Sequence, residues 1–286
     1  MIRLLSFRLL QAFMVAVLVG TLTFLSILLQ LRTPLSPDQS VLWLLLGWLG
    51  DVLTFDLGSS MVSGEPVLNR VAQSLGSSIP LAVGALILSL LIGPPLGIIA
   101  GLRTGGWVDR ALLLLSTAIR AIPQFVLAIM LVLIFAVAMD LLPAQGHATF
   151  AHSILPTATL ALGLAAVSSL VARDATLAIT SLPHYASGQL EGLSVFTVFR
   201  RHGLRDMRGP IVTSLGVQLV YLMEGIIVVE AFFAWPGVGQ DLVRAIFERD
   251  ARMVQGTALA LGLMFVMLKT IVDLANHSID SRRSHS

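Results

Sequence analysis

An all-α membrane protein with six transmembrane helices and both termini in the cytoplasm is the fold class this sequence predicts. Three observations carry it. Of 286 residues, 56% are hydrophobic and only 12% charged, with a mean hydropathy of +0.89; soluble domains carry about 25% charged residues. Six apolar stretches are each long enough to cross about 30 Å of hydrocarbon at about 1.5 Å per residue. Arginine is shared unevenly between alternate loops, which sets the orientation. A soluble globule of this size could not cover its surface with so few charges. Soluble enzymes, nucleic-acid modules and secreted disulfide scaffolds are therefore excluded. Cysteine is absent, which removes thiolate metal sites and cysteine nucleophiles. The pI near 9.7 rests on a formal charge of only +2 and reads as a topology signal, not a nucleic-acid footprint.

The spans follow in order as Phe7–Leu29, Pro80–Gly101, Ala111–Leu141, Ile154–Ala172, Ile211–Phe233 and Val254–Ala275. The first begins with Arg3 and Arg8, as a signal peptide does. Its apolar part is too long for one and no small-residue cleavage pattern follows, so a retained helix is expected. Residues 31–79 form an outside segment whose apolar run Val41–Trp48 is too short to span. That run suits an interfacial helix with Trp43 and Trp48 at headgroup level. The third span contains Pro123 and is expected to kink or tilt. Residues 173–210 form the only large cytoplasmic loop, and its length implies a docking or catalytic element. Inside segments carry eleven arginines (Arg3, Arg8, Arg103, Arg110, Arg173, Arg200, Arg201, Arg205, Arg208, Arg282, Arg283) and outside segments five (Arg32, Arg70, Arg244, Arg249, Arg252). No repeat or low-complexity linker divides the chain, and 1–286 reads as one transmembrane domain.

The chemistry is sparse. The one lysine, Lys269, lies in the last span, far from any glycine-rich phosphate loop, so this chain does not hydrolyse ATP. The histidines show no metal-ligand spacing and fall in loops or tails. That leaves neither a metal site nor the partner an intramembrane serine hydrolase needs, and no cofactor is expected. Ionisable groups within spans are costly and mark function by default. Arg120, Glu224, Glu230, Lys269 and Asp273 qualify. Lys269 and Asp273 are four apart and can pair on one helix face, and Glu230 lies near the outer interface. Arg120 and Glu224 lie deeper, and an interhelical ion pair is the weightier reading over a polar path. A proton-coupled secondary transporter using Arg120 and Glu224 is the rival in another functional class.

Several blocks resemble one family. Residues 183–210 have small residues, then Gly-Leu, then His-x-Leu-Arg before a proline, with Ala186, Ser187, Gly188, Gly192, Leu193, His202, Leu204, Arg205 and Pro210 at matching places. This is similar to the coupling segment, the EAA loop, of ABC importer permeases in the dipeptide/oligopeptide/nickel family. Phe55–Ser60 with Pro66-Val67, Asp109, Pro123–Phe125, Leu142–Gly146, Ile154–Pro156, Arg173, Glu230–Gly239 and Arg249-Asp250 agree in the same order. The resemblance covers nearly the whole chain. Departures are a shortened first outside segment, Gly188–Glu191 where Ala-Arg-Ala-Lys is commoner, Asp280-Ser-Arg282, and Glu224 where glycine is usual.

The resemblance implies a type I ABC importer permease of the bacterial inner membrane. Its implied partners are a second homologous permease, two ATP-binding ATPase subunits and an extracytoplasmic solute-binding protein, in a lipid bilayer and without nucleic acid. The coupling residues are then Ala186, Ser187, Gly188, Gly192, Leu193, His202 and Arg205, with Gly192 allowing a sharp turn between two helical pieces. Phe125, Ile129, Met223 and Glu224 are candidate path-lining residues. The binding protein is received near Phe55–Ser60, Gln145–His152 and Trp235–Arg252. The resemblance allows short peptides or nickel and related metals. The forms of the Phe233–Gly239 and Leu142–Gly146 blocks lean toward the nickel branch. With no histidine in any span, a metal is expected to cross as a chelate, since bare Ni²⁺ favours imidazole ligands.

Overall fold

The computed structural model describes residues 56–182, 185 and 195–283, with scattered positions between 10 and 54. The first expected span, the run Val41–Trp48 and coupling residues 186–193 lie largely or wholly outside the described residues. Within residues 56–283 the main described helices are α1 Val67–Leu102, α2 Trp107–Ala121, α3 Gln124–Leu131, α4 Ala151–Thr180, α5 Arg208–Phe232, α6 Val238–Glu248 and α7 Ala251–Arg283. A π-helical turn, Val132–Ala138, continues α3, and short helical pieces Val195–Val198, Phe199–Gly203 and Leu204–Asp206 precede α5. Among the described residues the only extended pairing is a bridge between Ser59 and Pro66.

Four described helices are long and apolar enough to cross a membrane, and the α2–α3 pair makes a fifth if counted as one span. The number six and the side on which the termini lie rest on the sequence alone. The expected kink at Pro123 is a bend of 108° between α2 and α3. Its cause is local. Ile122 is extended, at φ −83° and ψ 128°, because the residue before proline is driven out of the helical region. Helix α1 starts at Val67, ahead of the expected span Pro80–Gly101, so the helix reaches into the segment expected outside the membrane. Within its first turns the side chains of Arg70, Ser74 and Ser78 are hydrogen-bonded to groups of residues 238–241.

The chain forms two compact units, residues 1–80 with 234–268, and residues 81–233 with 269–286. In the larger unit α4 is central: 61% of its apolar window is enclosed, against 33% or less for the other three long helices. Gly93, Gly97 and Gly101 of α1 lie directly against it. A methyl group on Gly97 would sit 2.8 Å from the Ala172 Cβ and 2.9 Å from the Arg173 backbone nitrogen. Small residues at this spacing let two helix backbones approach closely, the usual device where lipid gives no hydrophobic drive to helix association. Side-chain hydrogen bonds reinforce the packing. Ser116 Oγ and Ser169 Oγ are 3.0 Å apart between α2 and α4, and Ser89 Oγ donates to Gln218 Oε1 at 2.6 Å between α1 and α5.

The smaller unit is organised by Asp241, in the first turn of α6 and 1% exposed. A carboxylate there suits the positive end of the helix dipole. Arg70 donates to it through Nε at 2.9 Å and Nη2 at 2.8 Å, Arg244 through Nη2 at 2.7 Å, and Ser74 through its hydroxyl. Trp235 Nε1 donates to the Ser77 carbonyl at 3.2 Å, and Ser78 Oγ accepts from the Val238 amide at 2.9 Å. Ser60 donates to Asp250, whose other oxygen accepts from the Met253 amide at 3.1 Å. Asp250 thereby caps the start of α7.

Candidate functional site

The 108° bend turns the end of α2 and the start of α3 onto α4 and α5. Together they enclose a cavity of about 340 Å³ lined by Arg120, Gln124, Gly163, Tyr221, Glu224 and Gly225, with apolar walls from Leu160, Leu164, Val167 and Val228. Gln124 wedges the corner, donating through Nε2 to the Thr159 carbonyl at 2.8 Å. The wedge needs glycines beside it. A Cβ at Gly163 would lie 3.1 Å from Gln124 Oε1, and one at Gly225 would lie 3.0 Å from Leu160 Cδ2.

Arg120 and Glu224 both line this cavity, but the expected ion pair is corrected: among the described residues no salt bridge joins them. Both are exposed on this chain, on different helices whose packing leaves the space between them open. Val217, Tyr221, Glu224 and Val228 form one exposed stripe along α5. A carboxyl and a guanidinium cannot be left facing hydrocarbon cheaply, so this face borders water or protein. The other span-borne charges are accounted for. Lys269 Nζ lies 3.8 Å from Asp273 Oδ1, as their spacing predicts, and Glu230 is fully buried. Of the four path-lining candidates, only Glu224 lines the cavity. Phe125 and Ile129 are exposed elsewhere on α3 and Met223 is half-buried.

The loop that resembles a coupling segment is pinned at both ends. Before it, Arg173 on α4 holds Asp109 at the start of α2 through Nε and, at 3.0 Å, Nη2, while the Gly105 amide donates to the same carboxylate at 2.9 Å. Tyr185, Val198, Phe199 and Met207, all fully buried or nearly so, pack with Ala172 and Ile179 of α4 against Ile98, Leu102 and Ile211. The Tyr185 and Phe199 rings meet edge-on with centroids 6.5 Å apart. Burial pushes the Tyr185 hydroxyl up to about 12. Gly203 is required beneath the Phe199 ring, where a Cβ would come within 2.8 Å of Cε2. Arg205 is exposed on Leu204–Asp206, and His202 falls in the Phe199–Gly203 turn. Ala186, Ser187, Gly188, Gly192 and Leu193 lie outside the described residues. Reading the sequence missed Tyr185, Phe199 and Met207; the signal was three large apolar residues flanking an otherwise small and polar stretch.

The smaller unit brings two distant motif blocks together. The Ser60–Asp250 contact joins the Phe55–Ser60 block to Arg249-Asp250, 190 residues away. Burial, the largest influence, pushes the Asp250 carboxyl up. Hydrogen bonds from Ser60 and from the amides of Met253, Met61 and Val62 outweigh it and hold the carboxyl below the usual carboxylate range. Beside it, Glu65, Arg70, Arg244 and Glu248 rim a second cavity of about 270 Å³.

Comparison with known proteins places these features. Residues 93–285 match the family described as "Binding-protein-dependent transport system inner membrane component". The chain is 34% identical over 243 residues to a probable peptide ABC transporter permease protein, y4tP, of Sinorhizobium fredii, covering 82% of this chain and 78% of that one. It is 31% identical over 249 residues to the glutathione transport system permease protein GsiC of Escherichia coli, covering 87% and 81%. It is 30% identical over 246 residues to the dipeptide transport system permease protein DppB of Bacillus subtilis, covering 86% and 80%. Among solved structures, a chain of the methionine ABC transporter MetNI in an inward facing conformation superposes with a TM-score of 0.60. That match has 16% identity and covers 75% of this chain and 98% of the other, a likeness of fold.

Proposed function

The chain belongs to the binding-protein-dependent transport system inner membrane component family and is a multi-pass permease subunit of an ABC importer; from that premise we propose that it forms half of an inner-membrane path for short peptides. It is a transport component, not an enzyme, and has the type I importer permease fold. The observation that carries the path is the open cavity in which Arg120 and Glu224 face a shared space unpaired, at the edge of an exposed stripe on α5. A single chain leaves that stripe uncovered. A second permease completes the path, so Glu224 and the neighbouring Phe125, Ile129 and Met223 line it only in the assembled pair.

Peptides are favoured over nickel by the relatives, whose names specify a peptide, a dipeptide and glutathione, itself a tripeptide. The nickel leaning of the sequence blocks gains no support from them, and the proton-coupled carrier gains none from fold or family. ATPase and binding-protein partners come with the family. The composition proposed here is two permeases, two ATPases and one binding protein. The Glu65–Arg70–Arg244–Glu248 rim is suited by its mixed charge to receive the binding protein.

Coupling is assigned to Ala186, Ser187, Gly188, Gly192, Leu193, His202 and Arg205. Closure of the ATPases moves this segment, and the buried Tyr185–Phe199–Met207 anchor passes the motion to α4 and α5 as a rigid-body tilt. The test is uptake in a deletion strain complemented with this gene, with a labelled dipeptide and labelled nickel run in parallel. Restored dipeptide uptake that also needs the ATPase partner is expected; restored nickel uptake alone would overturn the substrate. Gly192→Glu is expected to insert normally and abolish uptake, and normal uptake by that variant would remove the coupling role.

A further inference from the structure

The cavity at the α2–α3 bend has one cation and one anion among its lining residues, Arg120 and Glu224, on different helices. Neither is spent on the other. Of the other polar groups, Gln124 Nε2 is held by the Thr159 carbonyl at 2.8 Å, and Tyr221 adds one neutral hydroxyl to the lining. The walls are apolar or glycine, from Leu160, Leu164, Val167 and Gly163. At about 340 Å³ the space falls at the small end of ligand sites, which run about 300–1,000 Å³. A site of this kind offers little beyond one hydroxyl with which to select among side chains, but two fixed charges with which to select ends.

We propose that this cavity recognises the two termini of a short zwitterionic peptide, Arg120 taking the carboxylate and Glu224 the ammonium. The proposal rests on the peptide reading above and deepens it. The planar guanidinium fork matches a carboxylate in two parallel hydrogen bonds. A ligand of zero net charge with separated ends neutralises both wall charges together, whereas a bare divalent cation satisfies Glu224 and is repelled by Arg120. Apolar walls tolerate varied side chains, as import of short peptides of mixed sequence requires.

The test separates this site from the selectivity of the binding protein. Labelled L-alanyl-L-alanine is bound to the assembled permease–ATPase complex in lipid nanodiscs without binding protein, and displaced by itself, by its N-acetyl form or by its C-terminal amide. The native complex is expected to hold each blocked form roughly tenfold more weakly, the scale of one charged hydrogen bond. Glu224→Gln abolishes the preference over the N-acetyl form and keeps that over the amide; Arg120→Gln does the reverse. The double variant R120E/E224R keeps one charge of each sign and recovers binding of the free dipeptide, which guards against a single variant that fails to assemble. An unchanged order of preference in either assembled single variant overturns the proposal. So does failure of the native complex to bind the dipeptide while the complete importer still takes it up. Absence of dipeptide uptake by the complete importer instead removes the peptide reading itself, and the proposal with it.

Discussion

Replacing Gly97 by alanine sets two opposite physical effects against each other within α1, and Gly76 provides the control on the same helix. Alanine is favoured over glycine in a helix interior by up to about 1 kcal/mol. At Gly76 nothing lies within 4 Å of the added methyl, so only this gain operates. At Gly97 the methyl would stand 2.8 Å from the Ala172 Cβ, 2.9 Å from the Arg173 nitrogen and closer still to the Ser169 carbonyl oxygen. Two of those three atoms are backbone of α4, and backbone cannot turn aside as a flexible side chain can. The helices must separate, and overpacking of this sort costs about 1–3 kcal/mol, occasionally more. The rigidity of the neighbours places Gly97→Ala in the upper part of that range, a net loss of about 1–2 kcal/mol after the propensity gain. Thermal unfolding of the assembled importer in detergent, followed by tryptophan fluorescence, reads the difference, at roughly 2–4 °C per kcal/mol for a chain of this size. Gly76→Ala is expected to raise the midpoint and Gly97→Ala to lower it by several degrees. A Gly97→Ala protein melting at or above the native midpoint would refute the close α1–α4 contact.

Asp250 has its carboxyl held below the usual range, so its contribution is full above the ordinary carboxylate value of about 3.9 and is lost as pH falls through the folded value. Asp250→Asn should therefore flatten the acid limb of a stability–pH curve below about pH 5 while preserving the cap on Met253; an unchanged limb would show that the Ser60 and backbone contacts do not favour the ionised form. Asp109→Ala strands Arg173, whose side chain is 14% exposed, with only the exposed Asp174 beside it. The expected cost is about 3–5 kcal/mol in denaturant unfolding, much of it recovered in the apolar pair D109L/R173M; a single-variant loss under about 1 kcal/mol would count against a buried pair. Tyr185→Ala hollows the anchor, at a cost of about 3–5 kcal/mol locally. Uptake should fall at unchanged membrane abundance while Tyr185→Phe keeps most of it; native-like uptake by Tyr185→Ala would detach the anchor from coupling.

The sequence by itself determined what depends on neighbours along the chain. Its apolar runs located α1, α4, α5 and α7 as spans to within a turn or a few. The proline at 123 marked the bend, and the four-residue spacing of Lys269 and Asp273 foretold their contact. These are local matters of helix period, side-chain reach and one missing amide hydrogen. The motif blocks marked Asp109, Arg173, Ser60 and Asp250 singly, without joining them. Only the tertiary structure decided that Arg173 meets Asp109 across 64 residues and Ser60 meets Asp250 across 190. It gathered Arg70, Ser74 and Arg244 around one carboxylate, at the start of an α1 that begins at Val67, ahead of the span expected from Pro80. It also left Arg120 and Glu224 apart. Opposite charges on two helices read as a pair in one dimension, but the size of the bend and the glycines at 163 and 225 set the distance between helix surfaces. That distance opened a cavity where the sequence implied a salt bridge.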